Sequence, residues 1–541
     1  MNKKCERYIK RLENLKSLRF NFDDYYEEAA EYFIPRKSYI TRKQAGGERL
    51  KEDLFDSTGR RAVNVFAAGL FASLTPASSK WLNYQLAGAE EKDADIWLNN
   101  ATNKTINIIN QTNWSIQIQE FYRQIGIFGT ASMLIERDAK RKLRFTCLPI
   151  EESYIAENEA GEVDTIYRPF EWTVEQAYRF FGEESSKCIK EKYQSGKYDE
   201  KIKLLHIIEP RYERKQGSKN ARDKAYASVY ISIDDKVIMR EGGYDYFPCS
   251  TARLFKERRS AYGYGIAMLE LPDMKELNKF HYITVRGGLK QVDPLLFTND
   301  DGIMLPKNAA PGSLIKGSGE GSDLRPVVTG GRHDIGRDIL EMKQQEIKEA
   351  FYYDLFRALA GQQGDKTAYE IQQRVAENKA MIAPLIMPIL NEAIDPIMET
   401  VFSMLFESGE YGQLPQSIID NATTSLDGEK VLDLRIEYTS SLAMAMKLEE
   451  LGSIQDVMMF AGNIAQFKPS ILDKIDEDYA MDRFAKLRGV DPKLIYDAEG
   501  VASIRQARAE REAQIAGMQA AQQQAEIAKT TSEAEKNVRQ V

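Results

Sequence analysis

The sequence is short of the side chains that most often do chemistry. Among 541 residues there are three histidines and four cysteines. His206, His281 and His333 lie in three different predicted elements, with no His-x-Glu or His-x3-His spacing, so ordinary structural roles are expected rather than a zinc site. Cys5, Cys147, Cys188 and Cys249 are scattered without a CxxC pair. That implies no disulfide framework and fits buried thiols in a reducing compartment. Excess positive charge is also missing: 74 basic against 82 acidic residues leave a net charge of −8. Proteins that grip nucleic acid by charge are usually more basic. The longest uncharged apolar run, Ala380–Leu390, is well short of the ~20 residues a membrane helix needs. The opening residues lack the apolar core of a signal peptide. A soluble chain made inside a cell, with no membrane partner, is expected.

What is present is apolar mass. Hydrophobic residues make up 43% of the chain and aromatics 10%, enough for a large core and too much for a disordered scaffold. A chain this long suggests three or four domains. Its organising stretch runs from Tyr262 to Gly409. A helix begins after Gly265 and carries Leu269, Leu271, Leu277, Phe280, Ile283 and Leu289, with Pro272 in its first turns. A second, from about Asp334 to Leu359, places Ile335, Ile339, Met342, Ile347, Phe351 and Leu355 on one apolar stripe. The two should run antiparallel, with the Pro- and Gly-rich insert 293–332 at their tip. The loop Ala360-Gly-Gln-Gln-Gly-Asp365 breaks the pattern, and Thr367-Ala-Tyr-Glu370 restarts it as a capping box. From Ile371 to Phe406 the chain is apolar on more than half its circumference, yet Pro384, Pro388 and Pro396 interrupt it. Offsets of four and eight residues set each of these prolines within about 80° of the one before it. Either one helix curves steadily, or two or three shorter helices each begin near a proline.

Residues 1–125 read as mostly helical. Tyr8–Phe20 and Phe22–Phe33 are amphipathic, and Pro35 stops the second. Asp56 or Ser57 is expected to cap an alanine-rich helix whose Gly69 lets another backbone approach. Residues 126–260 switch to a period of two, an α+β layer. Ser132–Glu136 and Leu143–Leu148 should form a hairpin. Further strands are expected at Ser153–Glu157, Val163–Tyr167, Ile202–Arg211, Ala227–Ile233 and Lys236–Arg240, with a helix at Thr173–Phe181. In the insert, Leu295–Thr298, Gly302–Leu305 and Leu314–Lys316 read as short strands. Later, Leu434–Thr439 reads as a strand, and Leu442–Ala461, Ile464–Phe467 and Tyr479–Leu487 as helices. The tail from Ser503 to Gln540 is rich in alanine and glutamine. Such a helix is marginal alone, so it either frays or packs beside copies.

Several strings resemble motifs without carrying their chemistry. Asp56-Ser-Thr-Gly59 spells an aspartic-protease pattern, but it occurs once and a helix follows, so a cap is the better reading. Gly317–Gly321 lacks the Lys-Ser/Thr ending of a P-loop. Asn299-Asp-Asp-Gly302 could bind a metal, but adjacent carboxylates in a strand point opposite ways, so a turn is the favoured reading. Two basic clusters remain: Arg211, Arg214, Lys215, Lys219, Arg222 and Lys224; and Arg253, Lys256, Arg258 and Arg259. Solvated loop and strand-edge positions are the plainer reading, contact with packaged nucleic acid or an acidic neighbour the sharper one.

Four stretches together resemble the portal, or head-to-tail connector, proteins of short-tailed bacteriophages. The first is Phe55-Asp-Ser-Thr-Gly59 with Ala67-Ala-Gly-Leu70, Leu74-Thr-Pro76 and Trp81. The second is Tyr262-Gly-Tyr-Gly265 followed by Leu271-Pro-Asp-Met-Lys-Glu-Leu-Asn278, without the family's proline after the last glycine. The third is Thr367-Ala-Tyr-Glu370, Arg374 and the three prolines, with Ala383 where the family has glycine. Glu437-Tyr-Thr-Ser-Ser-Leu-Ala443, Asp473–Asp478 and Gly489-Val-Asp-Pro492 complete the series.

The resemblance implies a mainly α protein with an α+β wing, not an enzyme and without cofactor or metal. Its expected parts are a wing (1–261), a first stem helix (262–292), a clip (293–332) and a second stem helix (333–359). A channel loop (360–366), the wing's long kinked helix and strand (367–440), a crown (441–502) and a C-terminal barrel helix or frayed tail (503–541) follow. It implies a ring of copies of the chain, twelve in mature portals, passing double-stranded DNA. The implied partners are the terminase packaging motor, a tail adaptor, major capsid and scaffolding proteins, and internal core proteins. It sets the protein at the capsid vertex of the virion, assembled in the host cytoplasm. Arg357, Gln362, Gln363 and Lys366 are the expected channel residues; Lys307, Lys316, Arg325 and Arg332 are the expected clip contacts. Arg357 could equally cap its helix, and Lys366 could be plain loop solvation. The rival readings are a metal-dependent nuclease using Asp293, Asp300 and Asp301, and a monomeric nucleic-acid-binding scaffold using the 211–224 cluster.

Overall fold

A computed structural model of the chain describes residues 3–35, 40, 53–86, 92–215, 220–292, 296–297, 325–326, 333–359, 382, 384–420, 423–424, 430–431, 434–439, 448–465, 467–488, 490, 494–496 and 498–538. In chain order its main elements begin with α1 (Lys3–Phe33), α2 (Thr58–Leu74), β1 (Leu82–Leu86), α3 (Lys92–Asn110) and α4 (Trp114–Phe128). Next come β2 (Thr130–Asp138), β3 (Lys142–Leu148), β4 (Tyr154–Glu157), β5 (Val163–Thr173), α5 (Val174–Phe181) and α6 (Lys187–Gln194). They are followed by β6 (Lys201–Pro210), β7 (Tyr226–Ser232), β8 (Val237–Tyr244), β9 (Cys249–Arg253), α7 (Ile266–Leu269) and α8 (Leu271–Val292). The rest are α9 (His333–Ala350), α10 (Tyr353–Leu359), α11 (Asp395–Glu407), β10 (Leu434–Tyr438), α12 (Leu448–Ala465), α13 (Glu477–Arg488) and α14 (Ala498–Val538). The chain is mostly helical, with a smaller antiparallel sheet region.

Two units divide the chain. The first comprises Met1–Leu82, Asn103–Gly412 and Ser440–Leu448. Its larger sheet has the order β4-β5-β6-β7-β8, and every described neighbour pair is antiparallel. Period-two alternation sorts its side chains. Tyr167, Leu205, Ile207, Val229 and Ile231 face α1 and meet Cys5, Tyr8, Leu12 and Leu15. Phe170, Leu204 and Tyr230 face the other way and bury Val174, Ala177 and Phe181 of α5 and Ile189 of α6. Thr173 caps α5 in a capping box with Gln176. The smaller sheet, β3-β2-β9, contains the expected hairpin. The predicted strands and the 173–181 helix are therefore present, each within a few residues except β5, which runs on to Thr173.

Five local expectations are corrected. α1 is one uninterrupted helix rather than two, since nothing between Phe20 and Phe22 breaks the backbone pattern. The helix after Gly265 is divided at Glu270 into α7 and α8. The next stops at Tyr352, whose φ of 53° is left-handed, and resumes as α10. Its stripe is incomplete: Ile347 and Phe351 are buried, but Met342 is exposed. Gly69 admits a ring rather than a backbone; a Cβ there would sit 2.2 Å from Phe356.

Residues 384–407 form one helical run, so the single-helix reading holds for that part; 371–381 and 383 lie outside the described residues. Its turn Leu390–Ile394 is widened to π geometry, with the Asp395 N–H donating to the Leu390 carbonyl. Pro396 follows directly. A proline has no N–H for the carbonyl four residues back and its ring crowds that carbonyl, so a widened turn accommodates it.

The second unit comprises Asn83–Thr102, Gln413–Thr439 and Glu449–Val541. β1 pairs with β10. Ala94 and Ile418 are buried beneath Leu86, Trp97 and Leu414. The described helix starts at Leu448 and passes Ala461 to reach Ala465, so the expected separate helix at Ile464–Phe467 is absent. The tail is helical over Ala498–Val538. Arg505 grips both carboxylate oxygens of Asp478 at 2.7 and 2.8 Å. Among the described residues of α12, α13 and α14, only Ala461 and Ala485 are buried.

Candidate functional site

α8 and α9 form a helical hairpin. Lys343 reaches Asp273 near the start of α8, whereas Gly336 lies against Thr284 further along it, so the helices are antiparallel. The approach to the hairpin is set by a contact between two backbones. Gly129 has φ +67°, and a Cβ there would be 2.0 Å from the Tyr264 carbonyl carbon. A Cβ on Gly265 would be 2.3 Å from the Ile127 oxygen. The tight Tyr262–Gly265 passage against the end of α4 requires glycine at both positions.

The segment before α2 clamps the base of the hairpin. Asn278 Oδ1 accepts the N–H groups of Phe55 and Asp56 at 2.7 and 3.2 Å, and its Nδ2 donates to the Asp53 carbonyl at 2.8 Å. Asp56 Oδ1 accepts the Thr58 N–H at 2.6 Å, so Asp56 does cap α2, while Ser57 makes no side-chain cap bond. Asp56 Oδ2 accepts from Gln344 Nε2 at 2.8 Å and meets His281 Nδ1 at 3.0 Å. One buried carboxylate thereby ties α2, α8 and α9 together. Burial alone would raise its pKa, but the bonds from Thr58, Gln344 and His281 outweigh burial and hold the carboxyl below its ordinary value.

Next to this clamp, Lys343 contacts Asp273, Glu346 and Glu276 at 2.9, 3.1 and 3.2 Å. Those three carboxylates push its pKa up. Glu270 is pushed up as well, by burial first and then by Asp273 and Glu346. Past this point the described residues of the hairpin form no core of their own. No described α8 residue after Asn278 is buried, nor is any described α9 residue before Ile347. Tyr282, Ile283, Val285, Leu289, Val292 and Met342 are exposed, Val292 at 83%.

Of the expected channel residues, Arg357 is an exposed side chain on α10, its guanidinium 5.7 Å from the centre of the Tyr353 ring one turn earlier. Gln362, Gln363 and Lys366 lie outside the described residues, as do Lys307, Lys316 and Arg332. Arg325 is described in its backbone only, where it pairs with Phe297 in a two-residue antiparallel ladder. The other two short strands expected in the insert fall outside the described residues, and so do Asp293, Asp300 and Asp301. The structure thus brings together residues not singled out as a site: Asp56, Asn278, His281, Lys343 and Gln344. Asp56 and Asn278 stand inside two of the quoted stretches, but nothing in the sequence links them.

The basic clusters are corrected in part. Arg253 is buried, not a surface cation. Its guanidinium meets Glu157 and Glu392, the latter at 2.9 Å, and its backbone N–H also donates to Glu392 at 3.0 Å. The π turn is what carries Glu392, so this ion pair fixes the long helix to β9. Lys256 shares Glu157 at 2.5 Å. Arg211 donates to the carbonyls of Ala221, Lys224 and Gly242, and Lys224 pairs with Asp245. Arg214, Lys215 and Arg222 are exposed; Lys219 lies outside the described residues.

A family model described as "Bacteriophage head to tail connecting protein" matches residues 5–495. The chain is 28% identical over 542 residues to the portal protein of Salmonella phage epsilon15, covering 98% of this chain and 95% of that one. It is 29% identical over 537 residues to the probable portal protein of Bordetella phage BPP-1, covering 96% and 92%. Among solved structures, a chain in the neck of an empty gene transfer agent particle computed with C6 symmetry overlaps 74% of this chain and 86% of its own. That pair has 11% identity and a TM-score of 0.35. A chain in the virion of a native gene transfer agent particle overlaps 79% and 94%, with 12% identity and a TM-score of 0.33. Overlaps this loose assign neither fold nor function.

Proposed function

The chain belongs to the bacteriophage head-to-tail connecting protein family, and from that premise we propose that it is a portal subunit whose copies close into a ring, twelve in number, at one capsid vertex of the virion. The ring is a conduit for double-stranded DNA during packaging and ejection. It docks the terminase motor and the tail adaptor, and it meets the major capsid, scaffolding and internal core proteins. In this reading 1–261 and 367–440 form the wing, α8 and α9 the stem, 293–332 the clip, 360–366 the channel loop and 441–502 the crown. Residues 503–541 are the barrel helix. Arg357, Gln362, Gln363 and Lys366 line or border the channel; Lys307, Lys316, Arg325 and Arg332 contact the adaptor.

The observation that carries the ring is the coreless outer half of the α8–α9 hairpin. Two helices with Tyr282, Val285, Leu289, Val292 and Met342 turned to solvent bury too little to hold themselves. Beside copies of itself around an axis, each hairpin gains the neighbours it lacks. An acidic balance suits the passage of DNA, because many tight phosphate contacts would hold it fast. Negative-stain images and light scattering of the purified full chain test this. Annuli are expected. Single 61.7 kDa particles at every concentration, with no annuli in assembled virions, would overturn it.

A further inference from the structure

The outward surface of the hairpin is not uniform. At 3.6 residues per turn, Lys275, Lys279 and Arg286 fall within about 40° of one another on α8. Leu289 and Tyr282 adjoin this basic stripe, the Tyr282 ring also packing on Phe55 with centroids 4.8 Å apart, and Val285 lies just beyond them. Arg286 lies over the Tyr282 ring at 5.8 Å and donates to its hydroxyl at 2.9 Å, while Lys275 reaches Glu28 at 2.7 Å. Lys279 is exposed and makes no described ion pair. On α9 the outward positions are mostly acidic, with exposed Arg337 and half-buried Lys348 along one edge. Asp338, Glu341 and Glu349 fall within about 80° of one another, with exposed Met342 beside them. Arg337 sits on the edge of that stripe, 3.8 Å from Glu341.

We propose that these stripes are the two halves of one contact between neighbouring copies of this chain: α8 of one copy, by its basic stripe and the Tyr282–Leu289 edge, against α9 of the next, by its acidic stripe and Met342. This rests on the ring reading above and adds to it a direction and a register. A contact between two different faces is head-to-tail, the type that closes into rings. For a hairpin standing along the ring axis, rotation about that axis keeps every residue at the same height. The pairs Asp273–Lys343 and Thr284–Gly336 show which residues share a height on the hairpin. By that register Lys279 stands level with the stretch around Glu341, and an α9 carried round by the symmetry presents Glu341 and Asp338 to it. The apolar edges then close over each other, giving the exposed side chains of the coreless half a partner. Opposed stripes reject the alternative pairings α8–α8 and α9–α9, where like charges would meet.

The test is charge exchange in the full-length chain: Lys279→Glu, Glu341→Lys and the double variant, followed by native mass spectrometry and mass photometry over a concentration series at low and high salt. Each single reversal is expected to raise the concentration for half-assembly by about tenfold at low salt, because a modest repulsion recurs at every contact of a closed ring. The double variant should return to within about threefold of the parent. High salt should narrow the gaps. Lys279→Glu with Asp338→Lys is the second pair, read in the same way, and circular dichroism of each variant confirms that the fold is kept. Single variants that assemble like the parent overturn the proposal, as does a double variant no better than the singles. Rings of Lys279→Glu that form normally but retain less DNA would turn the stripe toward the channel instead, which also overturns it. A parent chain that forms no rings strikes at the ring reading itself, an outcome distinct from all of these.

Discussion

Asn278 accepts the N–H of Phe55 at 2.7 Å across 223 residues of sequence, and with it fastens the loop before α2 to the first helix of the hairpin. The same amide accepts from Asp56 and donates to Asp53, so it serves three backbone groups of one loop. Asp56 returns the connection through Gln344 of α9. The base of the hairpin is therefore held by polar bonds, while its outer half has no fully buried residue among those described.

Asn278→Ala should destabilise the first unit by about 1–3 kcal/mol, since two N–H groups and one carbonyl lose their partner at a buried position. Asn278→Asp keeps the acceptor but turns a carboxylate oxygen on the Asp53 carbonyl beside buried Asp56, and should cost at least as much. Thermal unfolding of both variants checks the order; an alanine variant as stable as the parent would remove the clamp from the account.

His206 gives the chain a pH dependence. It is buried, stacked on Tyr230 at 3.9 Å with its Nε2 3.0 Å from Ser228 Oγ, and burial, with Arg168 nearby, lowers its pKa to about 3. Its folded pKa lies below the unfolded value, so its contribution is complete above about pH 6.5. As the pH falls from there towards 3, the unfolded chain takes the proton first, and stability declines by up to about 1.4 kcal/mol per unit. Denaturant titrations at pH 7, 6, 5 and 4 should show that slope, and His206→Gln should flatten it.

Arg253→Ala should be more damaging than a surface charge deletion. It leaves Glu157 and Glu392 without their buried partner, a loss of about 3–5 kcal/mol. Hydrogen exchange should quicken first in 386–397, where Glu392 anchors the widened turn. Arg253→Ala with Glu392→Gln should recover part of the loss, and no recovery would place the effect elsewhere.

Gly265→Ala has little room for adjustment, since the added carbon meets the Ile127 carbonyl oxygen at 2.3 Å and backbone cannot rotate away as a side chain can. A loss of about 3 kcal/mol or more is expected, seen as low soluble yield or a collapsed melting transition. Gly288→Ala, with open space around it, is the control and should be neutral or slightly stabilising.

Deleting Gln362–Asp365 tests the channel-loop assignment. Rings should form as in the parent, and virions carrying the variant should hold less genome. Unchanged genome content would take that role away from the loop.

The strands and the α8–α9 helices were legible because their signal is local. A period of two in Leu143–Leu148 or of 3.6 in α9 needs no distant residue to be read. β9 escaped, because Cys249–Arg253 is buried at every position and so has no alternation. The stop at Tyr352 escaped as well: it takes a left-handed backbone without the glycine or asparagine that usually marks one. Arg253 looked like a surface cation in a basic run, because charge counted along a sequence says nothing about which carboxylates fold against it.

By itself the sequence determined where backbone hydrogen bonds would be satisfied locally. It also determined that the chain is poor in histidine and cysteine, and which motifs it shares with the connector family. Only the tertiary structure decided the rest: that Asp56, Asn278 and Gln344 form one clamp, that Glu392 leaves a widened turn to meet Arg253, and which face of the hairpin stays uncovered. The reason is physical. A helix or strand reports its own periodicity, whereas a buried polar pair between residues 222 apart leaves no mark on the chain near either partner until folding has excluded the water around both.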